Sequence, residues 1–116
     1  MTDFLGCLLL KTGLTGKVLQ GNEELCSENV QLLEVATSEF VLSLRLDSPV
    51  LKILLLEVFE ESRGKGLGRK VVEVCEMFAE KRGFKKISLL SSHEAKTFWA
   101  KCGFVDIGGR VFVKEK

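Results

Sequence analysis

The sequence predicts an α+β fold: a mixed, mainly antiparallel sheet with helices on both faces. Three observations carry this expectation. Residues 29–59 hold apolar runs of strand length separated by short turn signals. Residues 67–82 repeat apolar side chains at helical spacing. A strand, a second helix and a hairpin pattern then follow in order. The chain has 116 residues, 46% hydrophobic and 28% charged, which suits one folded domain spanning residues 1–116. That much apolar surface offsets the entropy of ordering the chain.

Residues 4–22 are read as two short strands, Phe4 to Leu10 and Lys17 to Gln20, punctuated by Gly13, Gly16 and Gly21, with a short helix in part of the stretch as the alternative. Val30 to Ala36 forms the next strand, and Thr37-Ser38-Glu39 turns the chain. Phe40 to Leu46 follows, with Phe40, Leu42, Leu44 and Leu46 on one face and Ser43 and Arg45 on the other. Asp47-Ser48-Pro49 makes a second turn. Val50 to Phe59 is nearly all apolar, the pattern of a strand covered on both faces. The short turns make these strands an antiparallel meander.

Leu67, Val71, Val74, Cys75 and Phe78 then form one helical stripe, and Gly83 supplies a left-handed stop. Ile87 to Leu90 is a short strand, parallel to Val50–Phe59 through a right-handed crossover. Ser91 and Glu94 have capping-box spacing, predicting a helix from about Ser92 to Lys101 that ends at Gly103. Phe104 to Ile107 and Arg110 to Lys114 close the chain as a hairpin around Gly108-Gly109.

The net charge of +1 hides a division. Residues 1–62 carry four basic and ten acidic residues, a balance of −6; residues 63–116 carry thirteen and six, a balance of +7. The overall balance speaks against a nucleic-acid coat, and the switch at Arg63 asks which anion the second half meets. Cys7, Cys26, Cys75 and Cys102 include no Cys-x-x-Cys, and His93 stands apart, so no metal is expected. No apolar run is long enough to span a membrane, and the N-terminus has no basic segment ahead of its apolar run. The expectation is an intracellular, cytoplasmic protein with free thiols and no membrane partner.

The informative stretch is Arg63-Gly64-Lys65-Gly66-Leu67-Gly68, between an apolar strand and a helix. A helix N-terminus offers unpaired N–H groups and the positive end of its dipole. The three glycines clear the approach of an anion, and Arg63, Lys65, Arg69 and Lys70 add positive charge. A triphosphate loop would need Ser or Thr where Arg69-Lys70 stands, and the dinucleotide fingerprint would need glycine at Val71.

Arg63-x-x-Gly66-x-Gly68, with Leu54-Leu55-Leu56-Glu57-Val58 before it, resembles the pyrophosphate-binding segment of the GCN5-related N-acetyltransferase (GNAT) superfamily. Ala95-Lys96-Thr97-Phe98-Trp99-Ala100-Lys101-Cys102-Gly103-Phe104 resembles that family's second signature, A-x-x-F-Y-x-x-x-G-F. Together the two cover about residues 50–108.

The resemblance implies a GNAT-like sheet that binds acetyl-CoA as cosubstrate and hands its acetyl group directly to an amine. It implies that backbone groups at Leu56 and Val58 pair with the pantetheine arm. Backbone amides of Gly64, Lys65, Gly66, Leu67, Gly68 and Arg69, with Arg63 beside them, would hold the pyrophosphate. Ala95 and Phe98 would line the cofactor's other side, and the two parallel strands would splay to admit the thioester. A backbone N–H at Leu56 or Val58 would steady the oxyanion.

Two departures from the family pattern stand out. The tyrosine that often protonates the leaving thiolate is Trp99 here, and the chain has no tyrosine. Only 29 residues precede Val30, so the two helices that the family places between its first strands are expected to be short or missing, a shortened N-terminal region. Glu57 is the first candidate general base, through partial burial that would raise its pKa; Glu39 and Glu60 come behind it. His93 reads as a cap residue and Cys102 as packing. The acceptor is an amine, with protein or peptide lysines and N-termini, and completion by a homodimer partner, left open. A noncatalytic acyl-CoA-binding module of the same fold is the alternative.

Overall fold

The computed structural model describes the backbone of residues 18–27 and 30–116, and the side chains from Gln31 onward. The predicted strand at Phe4–Leu10 lies outside the described residues. Seven strands form one sheet in the order β1-β2-β3-β4-β5-β7-β6. They are β1 (Val18–Ser27), β2 (Val30–Thr37), β3 (Phe40–Asp47), β4 (Val50–Val58), β5 (Lys86–Leu90), β6 (Val105–Asp106) and β7 (Val111–Glu115). Among the described residues there are also two α-helices, α1 (Leu67–Arg82) and α2 (Lys96–Lys101), and one short 3-10 turn at Glu60–Ser62.

β2 to β4 are the predicted meander, and β1 extends it, each strand antiparallel to the next. β1 is longer than its sequence pattern suggested. It runs through Asn22-Glu23-Glu24, polar residues that broke the apolar signal. Ser27 pairs with Val30, which leaves no room for helices between β1 and β2. Thr37 shapes the β2–β3 turn, its Oγ1 accepting the N–H groups of Glu39 and Phe40.

Phe40, Leu42, Leu44 and Leu46 are buried, as their alternation required. With Leu51, Ile53, Ile87 and Leu89 they meet Leu67, Val71, Val74, Cys75 and Phe78 of α1 in one core. Burial of such side chains, at ~1.5–3 kcal/mol each, is the main term holding helix to sheet. Gly83 ends α1 at φ 78°, and the Phe84 N–H reaches back to the Ala79 carbonyl at 2.9 Å.

β4 and β5 are parallel, joined by the α1 crossover. β4 departs from expectation in one respect: Leu54 and Leu55 are 53% and 45% exposed rather than covered. Leu55 lies opposite Ser43, on the face turned away from buried Leu42 and Leu44, and Leu54 follows the last β4–β5 pair, Ile53–Leu89.

Two further expectations change. The second helix begins at Lys96, not Ser92, and no capping box forms. Ser91 is held by the sheet instead: its N–H donates to the Arg110 carbonyl at 2.8 Å, and its Oγ to the Ser92 carbonyl at 2.7 Å. The last hairpin turns through three residues, Gly108, Gly109 and Arg110, all at positive φ. Asp106 Oδ1 accepts the Gly108 N–H at 2.9 Å and thereby draws the loop wider than a two-residue turn.

Candidate functional site

The site is a gap in the sheet. In register, Ser43 lies opposite Leu55 while Leu44 lies opposite Ile53, so Leu54 is an extra residue, a β-bulge. A bulge of this kind bends a strand, and it falls where β5 stops; past it β4 stays paired with β3 but has no strand on its β5 side among the described residues.

Backbone direction along that stretch follows from one bond. The Phe59 N–H donates to the Glu39 carbonyl on the β3 side at 2.9 Å. Successive residues of a strand point their N–H and C=O groups to opposite edges, so those of Val58 and Leu56 point into the gap. Arg63 Nε donates to the Val58 carbonyl at 2.8 Å. One lone pair at Val58 is therefore engaged, and Leu56 presents both its backbone groups to the gap.

At the end of the gap stands the α1 N-terminus. Gly66 is its N-cap residue at φ 74°, with no side-chain cap, and Gly64 adopts φ 81°. A Cβ at either glycine would meet nothing within 4 Å, so both line open space. Both hold a backbone conformation that costs an ordinary residue about 1–2 kcal/mol. The Gly66 carbonyl accepts the Lys70 N–H at 3.1 Å, so the N–H groups of Leu67, Gly68 and Arg69 have no partner within the helix. Gly68 serves close packing: a Cβ there would lie 3.3 Å from the Phe98 ring. Arg69 reaches across to the Lys101 carbonyl at 3.0 Å and ties α1 to the end of α2.

A cavity of about 420 Å³ joins these parts, lined by Leu56, Val58, Ser62, Arg63, Gly64, Gly66, Leu67, Gly68, Arg69, Ala95, Phe98 and Trp99. Every residue singled out for the cofactor lines it except Lys65, which is exposed at the loop tip. A second cavity of about 750 Å³ adjoins it between the splayed ends of β4 and β5. Its walls include Leu54, Leu55, Glu57, Leu90, Ser92 and Glu94. The positive helix end, the three glycines of the loop and the open strand edge fit an extended ligand with an anionic group at one end.

Glu57 lines the second cavity but is exposed, not partly buried as expected. It sits opposite Val41, on the same face as Leu55. Nor does it pair with Arg63, whose Nε is turned to Val58. Glu39 and Glu60 line neither cavity, and His93 is exposed and lines neither.

Trp99 is buried, edge-on to Phe98 at 5.0 Å and to Phe104 at 5.4 Å between ring centroids. Its place in the core explains why an indole is tolerated there. Cys102 lies outside both cavities, and burial pushes its thiol pKa up, with Arg69 acting against the rise. That setting does not favour a nucleophilic thiolate.

Sequence reasoning missed Leu54, Leu90, Ser92 and Glu94. Leu90 was legible, because alternation with buried Ile87 and Leu89 turns it outward. Glu94 was assigned to a cap that does not form.

The profile of the acetyltransferase (GNAT) family matches residues 27–104. No curated protein matches the chain. Solved structures share the fold at low identity. Tetrahymena GCN5 is 12% identical at TM-score 0.63, over 77% of this chain and 69% of that one. The archaeal Methanocaldococcus infernus Elp3 is 18% identical at TM-score 0.69, over 94% of this chain and 33% of that one. The PaiA N-acetyltransferase of Thermoplasma acidophilum, in complex with coenzyme A, is 21% identical at TM-score 0.59, over 76% and 60%.

Proposed function

The chain belongs to the acetyltransferase (GNAT) family, and we propose from this and from the gap in its sheet that it transfers an acetyl group from acetyl-CoA directly to a primary amine. The observation that carries the reading is the continuity of the open β4 edge with the glycine-lined α1 N-terminus in one cavity. It supports backbone pairing of the pantetheine arm at Leu56, with Val58 beside it. It supports capture of the pyrophosphate by amides from Gly64 to Arg69, aided by Arg63 and Lys65. Ala95 and Phe98 close the opposite wall.

The amine nitrogen bonds to the thioester carbonyl carbon, and the carbon–sulfur bond breaks with its electron pair on sulfur. The N–H groups of Leu56 and Val58, fixed by the sheet, are the candidates to stabilise the oxyanion. Glu57, on the wall of the wider cavity, is the proposed acceptor of the amine's proton, directly or through one water. With Trp99 in the tyrosine position, the thiolate leaves without a side-chain acid. Cys75 and Cys102 are free thiols, which fits the cytoplasm as the proposed place of action.

The buried Trp99 also favours a second reading, a noncatalytic acyl-CoA-binding module. Amine-dependent release of the CoA thiol separates the two. Transfer is expected, slowed in Glu57→Gln by about 10²-fold, the usual worth of a positioned base. Trp99→Tyr is expected to change kcat by less than about tenfold, against the 10²–10⁴ that a general acid supplies. Tight acetyl-CoA binding with no transfer to any amine would leave only the noncatalytic reading.

A further inference from the structure

Three of the large apolar side chains most exposed in the described part of the molecule meet in one place. Leu54 is 53% exposed, Leu55 45% and Leu90 64%, and all three line the wider cavity. Clustering of this kind marks a contact surface, whereas scattered exposed leucines need no explanation. Two carboxylates, Glu57 and Glu94, line the same cavity, and the cation there, Arg63, bonds to the Val58 carbonyl. The surroundings therefore call for a positive charge joined to an apolar group. Neither carboxylate is buried, and the buried polar residues among those described are Thr37, Ser62 and Ser91. Among the described residues, the cavity thus has no desolvated base of the kind that deprotonates a strongly basic amine.

From this combination we infer that the acceptor is the α-amine of a polypeptide whose first residue is large and apolar. The inference rests on the acetyl-transfer reading and deepens it. An α-amine has a pKa of about 7.7–8.0 and a lysine amine about 10.4, so at pH 7.5 about a third of the first is neutral and about 0.1% of the second. Glu57 then has only the proton released on bond formation to take, and the attacking nitrogen is already nucleophilic before it attacks. Its neutral form bonds to the acetyl carbon, the carbon–sulfur bond breaks with its electrons on sulfur, and the nitrogen's surplus proton leaves through Glu57 or water to the thiolate or to bulk solvent. Leu54, Leu55 and Leu90 receive the first side chain, and Glu94 draws the ammonium form of the incoming terminus.

The test uses the full chain with acetyl-CoA and peptides that differ only in residue one: Leu, Phe, Ser or Asp with a free α-amine. A fifth peptide has a blocked terminus and an internal lysine, and phenethylamine represents small amines. Thiol release gives the rate, and mass spectrometry locates the acetyl group. Leu- and Phe-first peptides are expected to exceed Ser-first in kcat/KM by about tenfold or more, the scale of discrimination by an apolar pocket. Leu90→Ser is expected to narrow that gap while leaving the acetyl-CoA Kd unchanged. Glu94→Gln is expected to raise peptide KM about threefold at unchanged kcat, the scale of an exposed charge pair. Equal rates on Ser-first peptides, faster transfer to the lysine peptide, or a kcat/KM for phenethylamine matching the best peptide would each overturn the inference while leaving acetyl transfer standing. Acetyl-CoA binding without transfer to any amine would overturn both.

Discussion

Gly66 and Gly83 share a backbone conformation, at φ 74° and 78°, but not a location. One opens α1 at the mouth of the cavity and the other closes the same helix far from it. Alanine at either site accepts the same strained conformation, costing about 1–2 kcal/mol in thermal or denaturant unfolding. Their effects on ligand binding should diverge. A Cβ at position 66 projects into the space that the pyrophosphate is proposed to take, so Gly66→Ala weakens acetyl-CoA binding by tenfold or more. Gly83→Ala leaves that affinity within about twofold, because only the far end of the helix is disturbed. Calorimetric titration of both variants checks the pair, and equal losses of affinity would detach the loop from the ligand.

Among the elements, α2 is the least secure on its own. Six residues are too few for a helix to persist alone, so its position depends on what grips it. Lys114 of β7 supplies one grip, bonding to Glu76 of α1 and to the Cys102 carbonyl just past α2. Arg69 supplies the other through the Lys101 carbonyl. Lys114→Met is expected to cost about 1–2 kcal/mol, because a half-buried carboxylate and a carbonyl lose their shared donor. It should also loosen the Phe98 wall of the cavity, and hydrogen exchange across Lys96–Lys101 would report that loosening.

The same dependence explains what the sequence could and could not convey. α1 was legible because its apolar stripe and its glycine stop are local features. β2 and β3 were legible for the same reason. The true start of α2 depends on partners distant in sequence, such as the Arg110 carbonyl that holds Ser91, whereas the last turn widens on a local bond from Gly108 to Asp106 that the Gly-Gly signal hid. The glycine loop announced itself through composition. The acceptor side of the site did not, because a bulge at Leu54 and the face on which Leu55 falls are not written in the apolar run of β4 itself.

At the scale of the whole molecule, the core carries an ionisable group whose loss of a proton opposes folding at alkaline pH. Cys75 is fully buried between helix and sheet, and burial, with Glu76 adding to it, pushes its thiol pKa from 9.0 to about 12. The folded state therefore holds that proton more tightly than the unfolded chain does. Stability from this source is intact below pH 9 and is lost as pH rises toward 12. Cys75→Ala is expected to be less stable near neutrality because of the cavity it leaves, yet to lose less stability than the parent between pH 9 and 11. Urea unfolding of both proteins at three pH values decides it. Parallel pH profiles would mean that other groups set the limit.

The edge of β4 that no strand pairs among the described residues has a consequence for how the protein behaves in a crowded solution. A row of backbone donors and acceptors left open inside a sheet is, chemically, a strand edge, and strand edges recruit one another into aggregates. Here the vulnerable stretch, Leu54 to Val58, is also leucine-rich. Under the proposed reading, a bound cosubstrate does for this protein what a guarding lysine or proline does at other edges. Its supply would then govern how long the protein stays monodisperse as well as how fast it turns over.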